Sequence, residues 1–224
     1  MRKLLALVVV GAIGAGAAHG DILNFRSWLD ANPSTPNSTA NEWFGTRGVN
    51  GAMLTSNGSY WESPGFPNST PLLASRANIG THGGAAGPAT FNGSFVHPGS
   101  GIAAVLVFSP TSPTVIGRVD VRSELVVNGL QGNGVTISVF TTISGTTTGY
   151  GSVTLAGTSA ARFDSFNFPA ALFQPGDRVH VVVGDRGSYL YDHVNLDAWI
   201  GIPTPGAVSA ITVFGLCALR RRRR

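Results

Sequence analysis

Between Val115 and Val127 the chain changes character at every second residue: Val115, Gly117, Val119, Val121, Ser123, Leu125 and Val127 alternate with Arg118, Asp120, Arg122 and Glu124. A period of two sets these groups on opposite faces of a strand, which makes this a half-buried strand or hairpin arm. Val135, Ile137, Val139 and Ile143 continue the pattern after the turn dipeptide Asn133-Gly134. Further strand segments are Ile102 to Phe108, Gly151 to Ala156, Arg162 to Phe168, Arg178 to Val183 and Val194 to Ile202. No segment carries a helical apolar period, and turns rich in Gly, Asn and Pro recur about every ten residues, the spacing of a sandwich or barrel. The fold expected is all-β, an antiparallel β-sandwich of jelly-roll type.

From Asp21 to Ser100 the texture is different, rich in Asn, Ser, Thr, Gly and Pro, with aromatics among turn dipeptides such as Asn57-Gly58, Pro64-Gly65 and Asn92-Gly93. This stretch has too few apolar residues to build its own core. It therefore belongs with the strands that follow, in one domain over 21–202. Trp28, Trp43, Tyr60 and Trp61 are expected to pin its long loops onto the sandwich.

The two ends read as targeting segments. Arg2 and Lys3, an apolar run from Leu4 to Ala18, and Ala18-His19-Gly20 have the order of a signal peptide over residues 1–20, which places the protein outside the cytoplasm. At the other end, Pro203-Thr204-Pro205-Gly206 precedes thirteen uncharged residues, Ala207 to Leu219, and then Arg220, Arg221, Arg222, Arg223 and Arg224. As a helix the apolar run spans ~20 Å against a hydrocarbon core of ~30 Å, so it suits transient engagement of the membrane better than permanent anchoring. The terminal arginines resist translocation. Seven of the fifteen basic residues lie in these two ends, and between them eight basic residues face eleven acidic ones, a net charge of −3. The pI therefore does not indicate nucleic acid, because no basic stripe remains to follow a phosphate backbone. The single cysteine, Cys217, is in the tail, so the domain is stabilised by its core and not by disulfides.

The tail, residues 203–224, resembles the PEP-CTERM sorting signal of bacterial surface proteins: a short proline motif (Pro203, Pro205, Gly206), an apolar helix and an arginine cluster. Thr204 stands where the commonest form of that motif has Glu. The resemblance implies recognition by an exosortase-type membrane peptidase, transient anchoring in the inner membrane through residues 207–219, and delivery to the cell surface or an extracellular matrix. The order Asn32-Pro33, Trp43-Phe44-Gly45, His97-Pro98-Gly99, Gly176-Asp177-x-Val, Val183-Gly184, Tyr191-Asp192 and Leu196-Asp197-x-x-Ile200 is similar to a jelly-roll module common in such proteins. That architecture is shared with carbohydrate-binding jelly rolls.

Candidate functional residues gather around the last strand. If Val194, Leu196, Ala198 and Ile200 face the core, alternation turns His193, Asn195, Asp197 and Trp199 the other way, with Tyr189 and Tyr191 just before them. An indole beside an amide and a carboxylate suits a sugar, whose apolar face stacks on the ring while its hydroxyls meet the polar groups. The competing reading packs Trp199 beneath a loop or the second sheet. Asp177, Asp185, Asp192 and Asp197 offer the hard oxygens that calcium takes, Asp192 and Asp197 first, although their spacing fits no ion-binding motif. Asp177 and Asp185 follow glycines and read more simply as turn residues bonding nearby backbone N–H groups. No hydrolase elbow, zinc spacing or phosphate loop is present, and Glu42, Glu62 and Glu124 sit in no catalytic context. The sequence thus points to an exported non-catalytic component of the cell surface or matrix, without a cofactor. The alternative is a module that binds extracellular polysaccharide, and a secreted hydrolase stands behind both.

Overall fold

Alternation in the sequence becomes two antiparallel sheets in the structure, a computed structural model that describes residues 23–32, 35–57, 60–62, 78–81, 93–126, 133–156, 160–187 and 192–201. The expected signal peptide and sorting tail lie outside these residues, as do Tyr189 and Tyr191. In chain order the elements are β1 (Leu23–Asn24), α1 (Phe25–Ala31), β2 (Trp43–Arg47), β3 (Thr55–Asn57), β4 (Tyr60–Glu62), β5 (Asn78–Thr81), β6 (Ser94–His97), β7 (Ala104–Phe108), β8 (Thr114–Val126), β9 (Val135–Ile143), β10 (Thr146–Leu155), β11 (Arg162–Phe173), β12 (Arg178–Asp185) and β13 (His193–Gly201). The larger sheet has the order β11-β8-β13-β6-β5-β4-β3, with β1 added to β13. The smaller has the order β10-β9-β12-β7-β2, and from β6 onward the chain changes sheet at every connection except β9 to β10. That one hairpin turns on Ser144 and Gly145, both at positive φ (49° and 81°), the conformation that matches the strands' twist.

One apolar cluster lies between the sheets. Val119, Val121, Leu125, Val194, Leu196, Ala198 and Ile200 enter it from the larger sheet, and Leu106, Phe108, Val135, Ile137, Val139, Val179, Val181 and Val183 from the smaller. Each such Val, Leu, Ile or Phe side chain stabilises the fold by roughly 1.5–3 kcal/mol through burial. The expected inward phase of β8 holds from Val119 on. Before it, Ile116 occupies the core and Val115 is only half-buried, so the face changes within three residues. The pairing with β11 slips at the same place, between Asn167 and Ala171. The slipped segment contains Pro169, which has no N–H to give a ladder and is accommodated at an irregularity of an edge strand.

The expectation that no segment is helical is corrected by α1. Asn24 caps it, its side chain accepting from the Ser27 N–H at 2.6 Å. Phe25 and Leu29, one turn apart, are buried in the core with Trp28 packed against it. Seven residues are too few for a period to stand out in a window of about 11–18. Among the described residues no helix is long and apolar enough to cross a membrane.

The tryptophans of the polar half do pin it down. Trp43 and Trp61 are buried, and ring centroids lie 5.3 Å apart for Phe25–Trp43, 5.1 Å for Trp43–Phe108, 6.3 Å for Phe25–Trp61 and 6.2 Å for Trp28–Trp61. Trp43 thus joins the helix to a strand of the smaller sheet. Trp43→Ala is expected to lower the unfolding free energy by about 3–5 kcal/mol in a denaturant titration; a loss below about 1 kcal/mol would show that the loops are held some other way.

Candidate functional site

Strand β13 positions the site because it lies in the interior of the larger sheet, paired with β8 along its whole length, from His193↔Val126 to Gly201↔Arg118. Its opposite edge is shared: β6 takes Val194 to Leu196 and β1 takes Trp199 and Ile200. The inward set, Val194, Leu196, Ala198 and Ile200, is fully buried, as alternation requires. The outward set departs from the expectation of an open polar face. Asn195 stands between Glu124 and Phe95 in register and is 2 % exposed, and Asp197 is 8 % exposed.

Asp197 falls where β6 ends and β1 begins. Its Oδ1 accepts from the Asn24 side-chain amide at 2.8 Å, from the Arg26 backbone N–H at 3.2 Å and from the Ala198 N–H at 2.9 Å. The first turn of α1 is therefore tied to β13 by a carboxylate, and Arg26 adds a bond to the Gly93 carbonyl at 3.0 Å. Burial raises the Asp197 pKa, while the hydrogen bonds from Asn24, Arg26 and Ala198 oppose that shift. Asp197 is thus held within the sheet face and Asn195 is buried in it, where alternation alone predicts an open polar face.

Trp199 is different. It is half-buried, stands outside the apolar core cluster, and its ring lies 5.7 Å from that of Phe163 at an interplanar angle of 44°. Phe163 is 60 % exposed, on the edge strand β11. Between their two strands runs β8, with Asp120 across from both Trp199 and Ser165. Asp120 accepts from the Ser165 hydroxyl at 2.6 Å and pairs with Arg118 Nε at 2.9 Å. Arg118 is half-exposed. A Cβ on Gly201 would approach Arg118 Cβ to 3.1 Å and Nε to 3.2 Å, so the missing side chain gives the arginine its room. The surface combines two aromatic faces with a hydroxyl, a carboxylate and a guanidinium, the groups that contact a sugar's apolar face and its hydroxyls. Phe163 was absent from the sequence candidates. Its signal is phase: Phe166 is in the core and Phe168 packs against it, and Phe163 falls on the other parity of the same strand.

At the other end of this face, His97 and His193 rings lie 4.7 Å apart and Phe95 is 4.8 Å from His193. Histidines that are far apart in sequence are therefore neighbours. Burial lowers the His193 pKa to about 4, with a further contribution from His97. Asp192, the preceding residue, is fully buried and accepts from the Gly134 N–H at 2.9 Å. Burial raises its pKa to about 6 against that hydrogen bond. Asp177 accepts from the Gln174 N–H within its own turn and from the Ser144 N–H, whereas Asp185, at the end of β12, accepts from the Gly101 N–H 84 positions away and is not bonded as a turn residue there. Among the described residues no three His, Cys, Asp or Glu side chains gather where they could hold a metal ion.

No family model matches the chain, and no curated protein does. Solved structures similar to it include SpGH29, at 14 % identity and a TM-score of 0.32, over 58 % of this chain and 28 % of that one. A xylan-binding domain from CBM 22 is 12 % identical with a TM-score of 0.37, covering 76 % of this chain and 94 % of that one. A family 29 carbohydrate-binding module complexed with mannohexaose is 11 % identical with a TM-score of 0.34, over 72 % and 90 %. These are remote likenesses, and the chain spans little more than a quarter of the length of SpGH29.

The buried titrating groups give opposite pH trends. The stability linked to Asp192 is full below its ordinary value of 3.8 and is lost as pH rises through about 6. The stability linked to His193 is full above 6.5 and is lost as pH falls through about 4. Measured by thermal melting against the wild type, Asp192→Asn should therefore gain as pH rises from 4 to 7, and His193→Phe should gain as pH falls over the same range. The reverse trend in either variant would contradict the assigned direction.

Proposed function

We propose that this is a non-catalytic domain of an exported surface protein, of jelly-roll type, which holds extracellular polysaccharide on the Trp199–Phe163 surface of its larger sheet. The observation that carries the reading is the exposed Phe163 ring beside Trp199, flanked by Arg118, Asp120 and Ser165. A large apolar ring left 60 % exposed does little for folding, whereas an aromatic face in water is what a sugar ring stacks on. Among the described residues the Arg118 guanidinium pairs through Nε with Asp120, and its other N–H donors remain for hydroxyls. Export and sorting rest on the two chain ends: the leader-like residues 1–20, and the tail with its exosortase-type motif at Pro203, Pro205 and Gly206.

Two experiments test the two halves of this reading. In affinity electrophoresis through neutral polysaccharides, wild-type protein should be retarded, and Trp199→Ala and Phe163→Ala should each abolish the retardation. Phe163→Ala should leave the melting temperature unchanged. Retardation that survives both substitutions would exclude this surface as the site. For sorting, replacing Arg220 to Arg224 with Ser should move protein from the envelope to the medium. Unchanged fractionation would remove the sorting role of the tail.

A further inference from the structure

The smaller sheet carries a second, chemically distinct concavity on its outer face. Phe44 of β2 and Arg178 of β12 lie there with the segments 39–41, 109–111 and 175–176, enclosing a groove of about 400 Å³. This is within the size range of small-molecule sites, about 300–1,000 Å³. Beside Phe44 and the one cation it is lined by neutral polar groups, Thr39, Asn41, Ser109 and Thr111, and by small apolar ones, Ala40, Pro110 and Pro175. The Arg178 guanidinium carbon sits 5.6 Å from the centroid of the Phe44 ring. Among the described residues it meets no carboxylate and no hydrogen-bond acceptor.

The nearby acids are already engaged. Asp177, the preceding residue, accepts through Oδ1 from Ser144 N–H and through Oδ2 from Gln174 N–H, both at 2.8 Å. Glu42 accepts from the Thr111 hydroxyl at 3.3 Å and does not line the groove. His180, on the same strand, is fully buried and bonded to Thr142 through Nε2 at 2.9 Å, so it brings no counter-charge. A guanidinium lying over an aromatic ring keeps its in-plane N–H fork for a planar partner, and the fork matches a carboxylate in bidentate geometry. A single cation among hydroxyls and an amide does not suit a polyphosphate, which needs several cations. It suits a ligand with one carboxylate and many hydroxyls.

We infer that the groove between Phe44 and Arg178 is a second ligand site that takes the carboxylate of an acidic sugar within a polysaccharide. It is separate from the Trp199–Phe163 surface, which lies on the other sheet.

The test uses the full chain carrying Arg220 to Arg224 replaced by Ser, so that the terminal arginines do not bind the probe. Electrophoresis is run in gels containing polygalacturonate, its methyl ester, or polyaspartate, each referred to a gel without polymer. Polygalacturonate should retard the protein more than its ester does. Arg178→Gln should remove that difference, weakening binding about tenfold or more, while Arg178→Lys, which keeps the charge and loses the fork, should retain part of it. Trp199→Ala should leave the carboxylate-dependent part intact. Equal retardation by acid and ester, or acid-dependent retardation unchanged in Arg178→Gln, would overturn the inference. So would polyaspartate binding as tightly through Arg178, which would make the groove a peptide site. Retention in neutral polysaccharide that does not depend on Trp199 would count against the neutral-sugar surface and leave this site standing.

Discussion

A single buried carboxylate organises the way the chain begins and ends its fold. Asp197 draws three N–H groups to one oxygen, from Asn24, Arg26 and its own neighbour Ala198. It reinforces a backbone ladder only two residues long between β1 and β13, alongside the Arg26 bond to Gly93 and the burial of Phe25 and Leu29. Phe25 and Leu29 enter the core, and Phe25 meets Trp43 and Trp61. The polar half of the chain is thereby fastened to the strand-rich half through aromatic contact. A buried carboxylate is costly to desolvate, and its hydrogen bonds to fixed backbone donors offset that cost.

Much of this was legible in the sequence because β-strands carry their own geometry. The inward residues of β13 and β9 follow from alternation alone, and so does the role of the tryptophans in a region too polar for any other anchor. What was not legible depends on who stands opposite. Asp197 and Asn195 were placed on the correct face of their strand, but alternation does not say whether a face meets water. The helix escaped notice because Phe25, Trp28 and Leu29 make one turn of apolar spacing and no more. Phe163 and Trp199 are 36 positions apart by their numbers, and only the β11-β8-β13 order brings their rings together.

The two outer faces of the sandwich are built on different chemistry. On the larger sheet, aromatic rings lie beside an Arg118–Asp120 ion pair, with the exposed Arg122 across from Phe163 on the same face. On the smaller, an aromatic ring is covered by a cation whose donors meet no acceptor among the described residues. A polymer bearing both neutral and acidic sugars would find a different complement on each side, and binding at both would raise avidity through effective concentration.

The position of β13 has a mechanical consequence. Strand β13, which ends at Gly201, is flanked by β8 along its whole length and by β6 and β1 on the other edge. Tension applied beyond Gly201 runs along the strand and across its hydrogen bonds, which are perpendicular to it. The ladder bonds then share the load in shear, where an edge strand peeled from its end would open them one after another. A tether at this terminus pulls on one of the most firmly held strands of the larger sheet.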